Sequence, residues 1–168
     1  MNELNIRFGR KEDLGAIREI HNYFVRETSV TFEMEEASMG NRRSWFEQFD
    51  ETGIHQLLVA EQDDCLAGYS ASLRFHERPA YAPSVMTSVY LHPDQTGKGI
   101  GRELYRALLE SLEKTGKVHR AYGLVVIPNP ASERLHQKLG FRKAGLLEEA
   151  GYKLGRYHSV RIYERLMD

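Results

Sequence analysis

The segment Val89-Tyr90-Leu91-His92-Pro93-Asp94-Gln95-Thr96-Gly97-Lys98-Gly99-Ile100-Gly101-Arg102 carries the clearest chemical signal in the chain. An apolar run leads into three alternating glycines. A helical pattern follows, with Leu104, Leu108 and Leu112 at steps of four. Glycine lets the backbone take unusual angles and lets a ligand approach with no side chain in the way. The first amides of a helix lack internal partners, and the helix dipole adds partial positive charge there. Strand, glycine turn and helix together form a site for phosphate or pyrophosphate.

Several cofactor classes use such a turn. A P-loop needs a Gly-Lys-Ser/Thr ending that this segment lacks. The dinucleotide fingerprint needs a small third residue where Arg102 stands, and an acidic residue after the next strand, where Ile127-Pro128-Asn129 offers none. It also expects the turn early in its domain. Coenzyme A, which carries a pyrophosphate, remains in play, as does a tight turn with no ligand.

The elements that position this turn follow from periodicity. Residues 4–10 alternate, with Leu4, Ile6 and Phe8 on one face, and read as a strand. Residues 13–26 carry Leu14, Ile17, Ile20, His21 and Phe24 at helical spacing, and a second helix over residues 38–50 turns Trp45, Phe46 and Phe49 inward. Residues 56–61 and 65–75 form a hairpin around Gln62-Asp63-Asp64, and residues 78–83 are a loop with two prolines. Strands follow over residues 85–92 and 121–127 on either side of the glycine turn and its helix, residues 102–114. Asn129 suits a helix cap and Pro130 a first turn, with Gly140 ending that helix. The rest reads as a strand, a glycine-containing turn and a last strand over residues 159–165. This is a mixed α/β pattern with helices on both faces of a sheet, in one domain spanning residues 1–168.

The bulk numbers exclude some classes. With 168 residues the chain can bury a real core. A formal net charge of −1 argues against a general nucleic-acid binder. No apolar run approaches the roughly 18 residues that cross a bilayer, so no membrane partner is expected. No secretory signal is visible at residues 1–5, and the single Cys65 has no internal disulfide partner, which fits a reduced, cytoplasmic setting.

Over nearly its whole length the chain resembles the GNAT superfamily of N-acetyltransferases, and within it the phosphinothricin (methionine sulfoximine) acetyltransferase-like group. Residues Thr96 to Gly101 are similar to the superfamily's pyrophosphate loop. Asn129-Pro130-Ala131-Ser132, Leu135-His136 and Leu139-Gly140-Phe141 resemble its second signature. Phe75 with Arg78-Pro79-Ala80-Tyr81, Ser88-Val89-Tyr90 and Gly151-Tyr152-Lys153-Leu154-Gly155 resemble the subgroup.

The resemblance implies the GNAT fold, a mostly antiparallel sheet of about seven strands with helices on both faces. It implies acetyl-CoA as cosubstrate, no metal ion, a small-molecule amine as acceptor, and a homodimer. Backbone groups of Val89, Tyr90 and Leu91 would bond the pantetheine arm, and amides of Gly97, Lys98, Gly99, Ile100 and Gly101 the pyrophosphate. Asn129, which also suits a helix cap, and Ser132 would lie along the pantetheine. Phe32 after Thr31, Phe75, Arg78 and Tyr81 would form the substrate wall. Arg78 there could pair with a carboxylate.

The chain departs from the subgroup at one chemical position. A glutamate, thought to be the general base, usually stands four residues before the tyrosine of Ser-Val-Tyr; here it is Met86, which cannot accept a proton. Thr96 replaces the usual Arg/Gln of the loop, and Tyr157-His158-Ser159 stands where an aromatic, any residue and Asp are common. His136 is then the remaining acid–base candidate, with an unperturbed pKa of about 6.5. Tyr90, in phase with Met86 on one strand face, is the second catalytic candidate, with a plain core tyrosine as the alternative. The leading expectation is acetylation of an amino acid or analogue such as phosphinothricin, methionine sulfoximine or methionine sulfone. Another amine acceptor (a polyamine, an aminoglycoside, a protein N-terminus), or acetyl-CoA binding without turnover, are the alternatives.

Overall fold

The computed structural model describes residues 3–167. Strand β1 (Asn5–Phe8) runs antiparallel to β2 (Leu57–Gln62), which pairs with β3 (Cys65–Arg74). The β2–β3 hairpin turns at Asp63 and Asp64, both at positive φ (54° and 60°), a conformation that Asp tolerates better than most residues. Strand β4 (Ser84–Leu91) lies antiparallel to β3 and parallel to β5 (Arg120–Ile127). Strands β6 (Arg142–Lys153) and β7 (Arg156–Leu166) close the sheet in the order β1-β2-β3-β4-β5-β7-β6. Only β4 and β5 pair in parallel, so the sheet is the expected seven-stranded, mostly antiparallel one.

Helices cover both faces because β2 and β3 are apolar on both. Leu58, Ala60 and Ala67 meet α3 (Ile100–Thr115) through Leu104, Leu108 and Leu112, all buried. Leu57, Val59, Tyr69 and Ala71 meet α1 (Leu14–Glu27) through Leu14, Ile17 and Ile20. Helix α2 (Met39–Phe46) adds Trp45 and Phe46 to that second face, and α4 (Pro130–Lys138) follows β5.

Two boundaries differ from the sequence reading by three residues or more. Helix α2 stops at Phe46, where the Phe49 amide donates to the Phe46 carbonyl and the Asp50 amide turns to His55. Phe49 still packs inward from this irregular stretch. Strand β7 begins at Arg156, not residue 159, because β6 stays in register with it to the pair Lys153–Arg156. Among the described residues, no helix is long and apolar enough to cross a membrane.

Candidate active site

Strands β4 and β5 pair only over Ser84–Arg120, Val85–Ala121 and Met86–Tyr122. Beyond Met86 they part, and the sheet opens into a fork. At its crotch the Thr87 hydroxyl donates to the Tyr122 carbonyl (3.0 Å) and bonds the Tyr105 hydroxyl (2.7 Å). The His136 ring packs in T-shape against Tyr105 and stacks on Tyr163. It lies so close to β5 that a Cβ on Gly123 would sit 2.4 Å from Nε2. Gly123→Ala should displace that buried ring and cost about 1–3 kcal/mol, as overpacking does, read as a lower urea midpoint.

The fork leaves one edge of β4 without a strand partner over residues 87–91. Unpaired strand groups seek a partner, and an extended ligand with amides can supply one. A slot of about 50 Å³ runs between the strands, lined by Val89, Tyr90, Asn129, Ser132 and His136. Beyond the end of β4 the chain passes Gly97 (φ 76°) and Gly99 (φ 82°), the latter capping α3. A Cβ at either would meet nothing within 4 Å, so this face of the loop is open to a ligand. The Arg102 and Glu103 amides turn back to the Gly99 carbonyl. The amides before them begin the helix and have no intrahelical acceptor. An open strand edge leading to a helix N-terminus across a glycine loop fits coenzyme A, whose arm carries amides and whose far end carries a pyrophosphate.

The slot opens into a larger cavity of about 490 Å³, sharing with it Thr87, Ser88, Tyr90 and Leu124. Met86, Ser88 and Tyr90 line this cavity from one face of β4, as their phase requires. The Tyr90 ring is stacked on Tyr69 (centroids 5.4 Å apart) and packs against Phe24. Burial, with the nearby Glu33 charge, pushes its phenol pKa up against a Thr31 hydrogen bond, so the phenol stays protonated.

His136 is anchored through Nδ1. Nδ1–H donates to the Ser132 carbonyl (2.8 Å), and Nε2 faces the Tyr105 hydroxyl (3.3 Å). Burial lowers its pKa more than the Ser132 bond raises it, so the ring is neutral at pH 7. The Asn129 side-chain oxygen caps α4 by accepting from the Ser132 amide (3.2 Å), which leaves its NH₂ for the slot. Lys98 is bonded to Gln95 on the loop surface.

The expected substrate wall is divided. Phe32 lines the large cavity, where the missing Cβ of Gly151 makes room for its ring. Lys153 donates to the Thr31 carbonyl (2.8 Å) and fixes the same segment. These contacts account for Gly151 and Lys153 of the Gly151-Tyr152-Lys153 signature. Phe75 instead stacks on Tyr122 (4.4 Å) and packs on Tyr81. Tyr81 and Arg78 line a separate cleft of about 350 Å³ with His55 and Arg74. Within the chain, then, Phe32 is apart from Arg78 and Tyr81.

The cavity also gathers residues that sequence periodicity did not single out as chemical: His21, Glu33 and Arg42. Tyr69 O–H donates to His21 Nδ1 (3.0 Å), and His21 Nε2–H donates to Glu33 (2.7 Å). The His21 bond holds the Glu33 carboxyl below its ordinary range despite partial burial. His21 shows in the sequence as one residue of an apolar helical stripe, which is also how a core histidine looks. Among the described residues no group of three or more His, Cys, Asp or Glu could hold a metal.

Residues 6–160 match the acetyltransferase (GNAT) domain family. The phosphinothricin N-acetyltransferase of Streptomyces coelicolor is 41% identical over 165 residues, which cover 97% of this chain and 96% of that protein. The L-methionine sulfoximine/L-methionine sulfone acetyltransferase of Salmonella typhimurium is 32% identical, with 98% and 95% covered. The Salmonella typhimurium yncA structure, which holds its cofactor acetyl-CoA, matches with a TM-score of 0.94 at 31% identity, covering 99% of this chain and 95% of that one. The chain therefore belongs to the GNAT acetyltransferase family and is an acetyl-CoA-dependent N-acetyltransferase.

Proposed function

We infer that the acceptor is the amine of a small amino-acid-like molecule of the phosphinothricin, methionine sulfoximine or methionine sulfone type. One observation carries this: the 490 Å³ cavity, of a size for such a molecule, opens directly into the slot beside β4. The names of the relatives favour the same class.

Acetyl-CoA supplies an acetyl group activated as a thioester. The chain's part is to hold that thioester in the slot, through the β4 backbone at Val89, Tyr90 and Leu91 and the amides of residues 97–101, next to an amine in the cavity. Such positioning by itself lowers the barrier substantially. Tyr90 lines both spaces and keeps its proton, so it is suited to donate to the departing sulfur. His136, neutral and with its Nδ1–H committed to the Ser132 carbonyl, is better suited to hold Tyr105 and the fork by packing than to give up a proton. Asn129 and Ser132 lie along the slot and Phe32 along the cavity. Phe75, Arg78 and Tyr81 would reach an acceptor only across a subunit boundary. Exposed Leu146, Leu147, Tyr152, Leu154 and Tyr157 on β6, β7 and the turn between them support a homodimer. The reading takes the chain as one catalytic domain working in the cytoplasm, with no nucleic-acid or membrane partner.

The test is acetyl-CoA-dependent release of CoA thiol over a panel of amines, from neutral to alkaline pH. Methionine sulfone and phosphinothricin should be acetylated, at a rate that rises with pH as the amine loses its proton. Turnover confined to polyamines, aminoglycosides or peptide N-termini would overturn the acceptor assignment.

A further inference from the structure

Arg42 on α2 is 7% exposed and lines the large cavity. Its guanidinium lies over the Trp45 ring, 4.8 Å from the centroid, and its Nε is buried without a hydrogen-bond partner. Among the described residues it forms no ion pair within 4.0 Å. A buried guanidinium with no counter-ion is costly, and an anion entering the cavity would relieve that cost. Stacking on Trp45 uses the face of the group and leaves its N–H edge free to fork a carboxylate.

Glu33 lines the same cavity and is kept ionised by His21. The Arg42 charge lowers its carboxyl further, so the two groups sense each other without pairing. A carboxylate held this acidic binds an ammonium group well and takes its proton poorly. An α-amino acid carries one charge of each sign on a single carbon, which matches a cation and an anion facing one space.

We propose that Arg42 binds the carboxylate of the acceptor and Glu33 its ammonium group, so that this pair, and not Arg78, selects α-amino acids. The proposal rests on the amino-acid reading of the function. Arg78 lines the other cleft, beside Arg74 and Glu77.

The experiment compares methionine sulfone with 3-(methylsulfonyl)propylamine, the same amine without its carboxylate, on the wild type, Arg42→Gln and Arg42→Lys. Wild type should favour methionine sulfone. Arg42→Gln should raise its KM by about 100-fold or more, the scale of removing one partner of a buried charge pair. The KM values for the propylamine and for acetyl-CoA should stay within a few-fold. Arg42→Lys should recover part of the loss, since it restores the charge without the fork. Equal weakening of both acceptors, or an unchanged KM for methionine sulfone, overturns the proposal and leaves the acceptor class standing. If Arg42→Gln does not fold, the wild type decides: equal kcat/KM for the two amines overturns the proposal. A wild type that acetylates no amino-acid analogue overturns the acceptor class and the proposal together.

Discussion

Met86→Glu is expected to raise kcat at neutral pH by about 10²-fold, the lower end of what a positioned base contributes. The reacting amine must be neutral, and one with a pKa of about 9 is only about 1% neutral at pH 7. Met86 lines the large cavity at the last paired position of β4 before the fork. A carboxylate there would stand beside Ser88, close to where the strand edge opens. Leu73, Leu124 and Val126 line the same cavity. Partial burial among such groups raises a carboxyl pKa towards neutrality, which suits a base working at pH 7. The pH–rate profile should therefore begin its rise at lower pH than in the wild type, and the gain should shrink at alkaline pH, where the amine loses its proton unaided. Met86→Gln keeps the polarity and lacks the base. If the glutamate variant is no faster than the glutamine variant at pH 7, with the same profile, then deprotonation at this position does not limit the reaction.

Gly68→Val should have the largest effect on stability. Gly68 pairs with Leu91 across β3 and β4. A Cβ there would lie 2.5 Å from the Tyr90 carbonyl oxygen and 2.5 Å from the Leu91 Cδ2. A side chain can turn away, but the oxygen belongs to the β4 backbone and moves only if the strand moves. The cost should be at the upper end of overpacking, about 3 kcal/mol, read from the urea midpoint. Residues 89–91 are also the edge proposed to hold the pantetheine arm, so the stabilisation conferred by added acetyl-CoA should fall as well. A variant with a lower midpoint and an undiminished acetyl-CoA shift would place cofactor binding away from that edge.

Both predictions depend on residues whose roles were legible to different degrees. Met86 shows in the sequence, because it breaks a pattern that its neighbours Ser88, Val89 and Tyr90 keep. Gly68 does not, because nothing in Leu66-Ala67-Gly68-Tyr69 tells which strand lies opposite. The glycine loop, the Asn129 cap with Pro130 behind it, the Asp63-Asp64 hairpin and the leucine stripe of α3 were all readable. Each is decided by torsions and hydrogen bonds within a few residues, so local sequence specifies it.

The end of α2 and the start of β7 were misplaced because partners outside each segment set them. Residues 46–50 close into turns that reach His55, and Arg156 joins β7 through its partner Lys153. The fork is likewise decided at a distance, where Thr87, Tyr105, Gly123 and His136, from four elements, meet at one point. The charge of the large cavity is the extreme case. Arg42 shares the inward stripe of Trp45, Phe46 and Phe49 at helical spacing, but nothing in the sequence tells which charges meet it there. Packing turns it inward over Trp45, into the space that Glu33, Met86 and Tyr90 also line. The sequence by itself determined the helices except the end of α2, most of the strands and the glycine loop, because those rest on near neighbours. Only the tertiary structure decided which charges share a cavity, because burial is a property of the whole packed core.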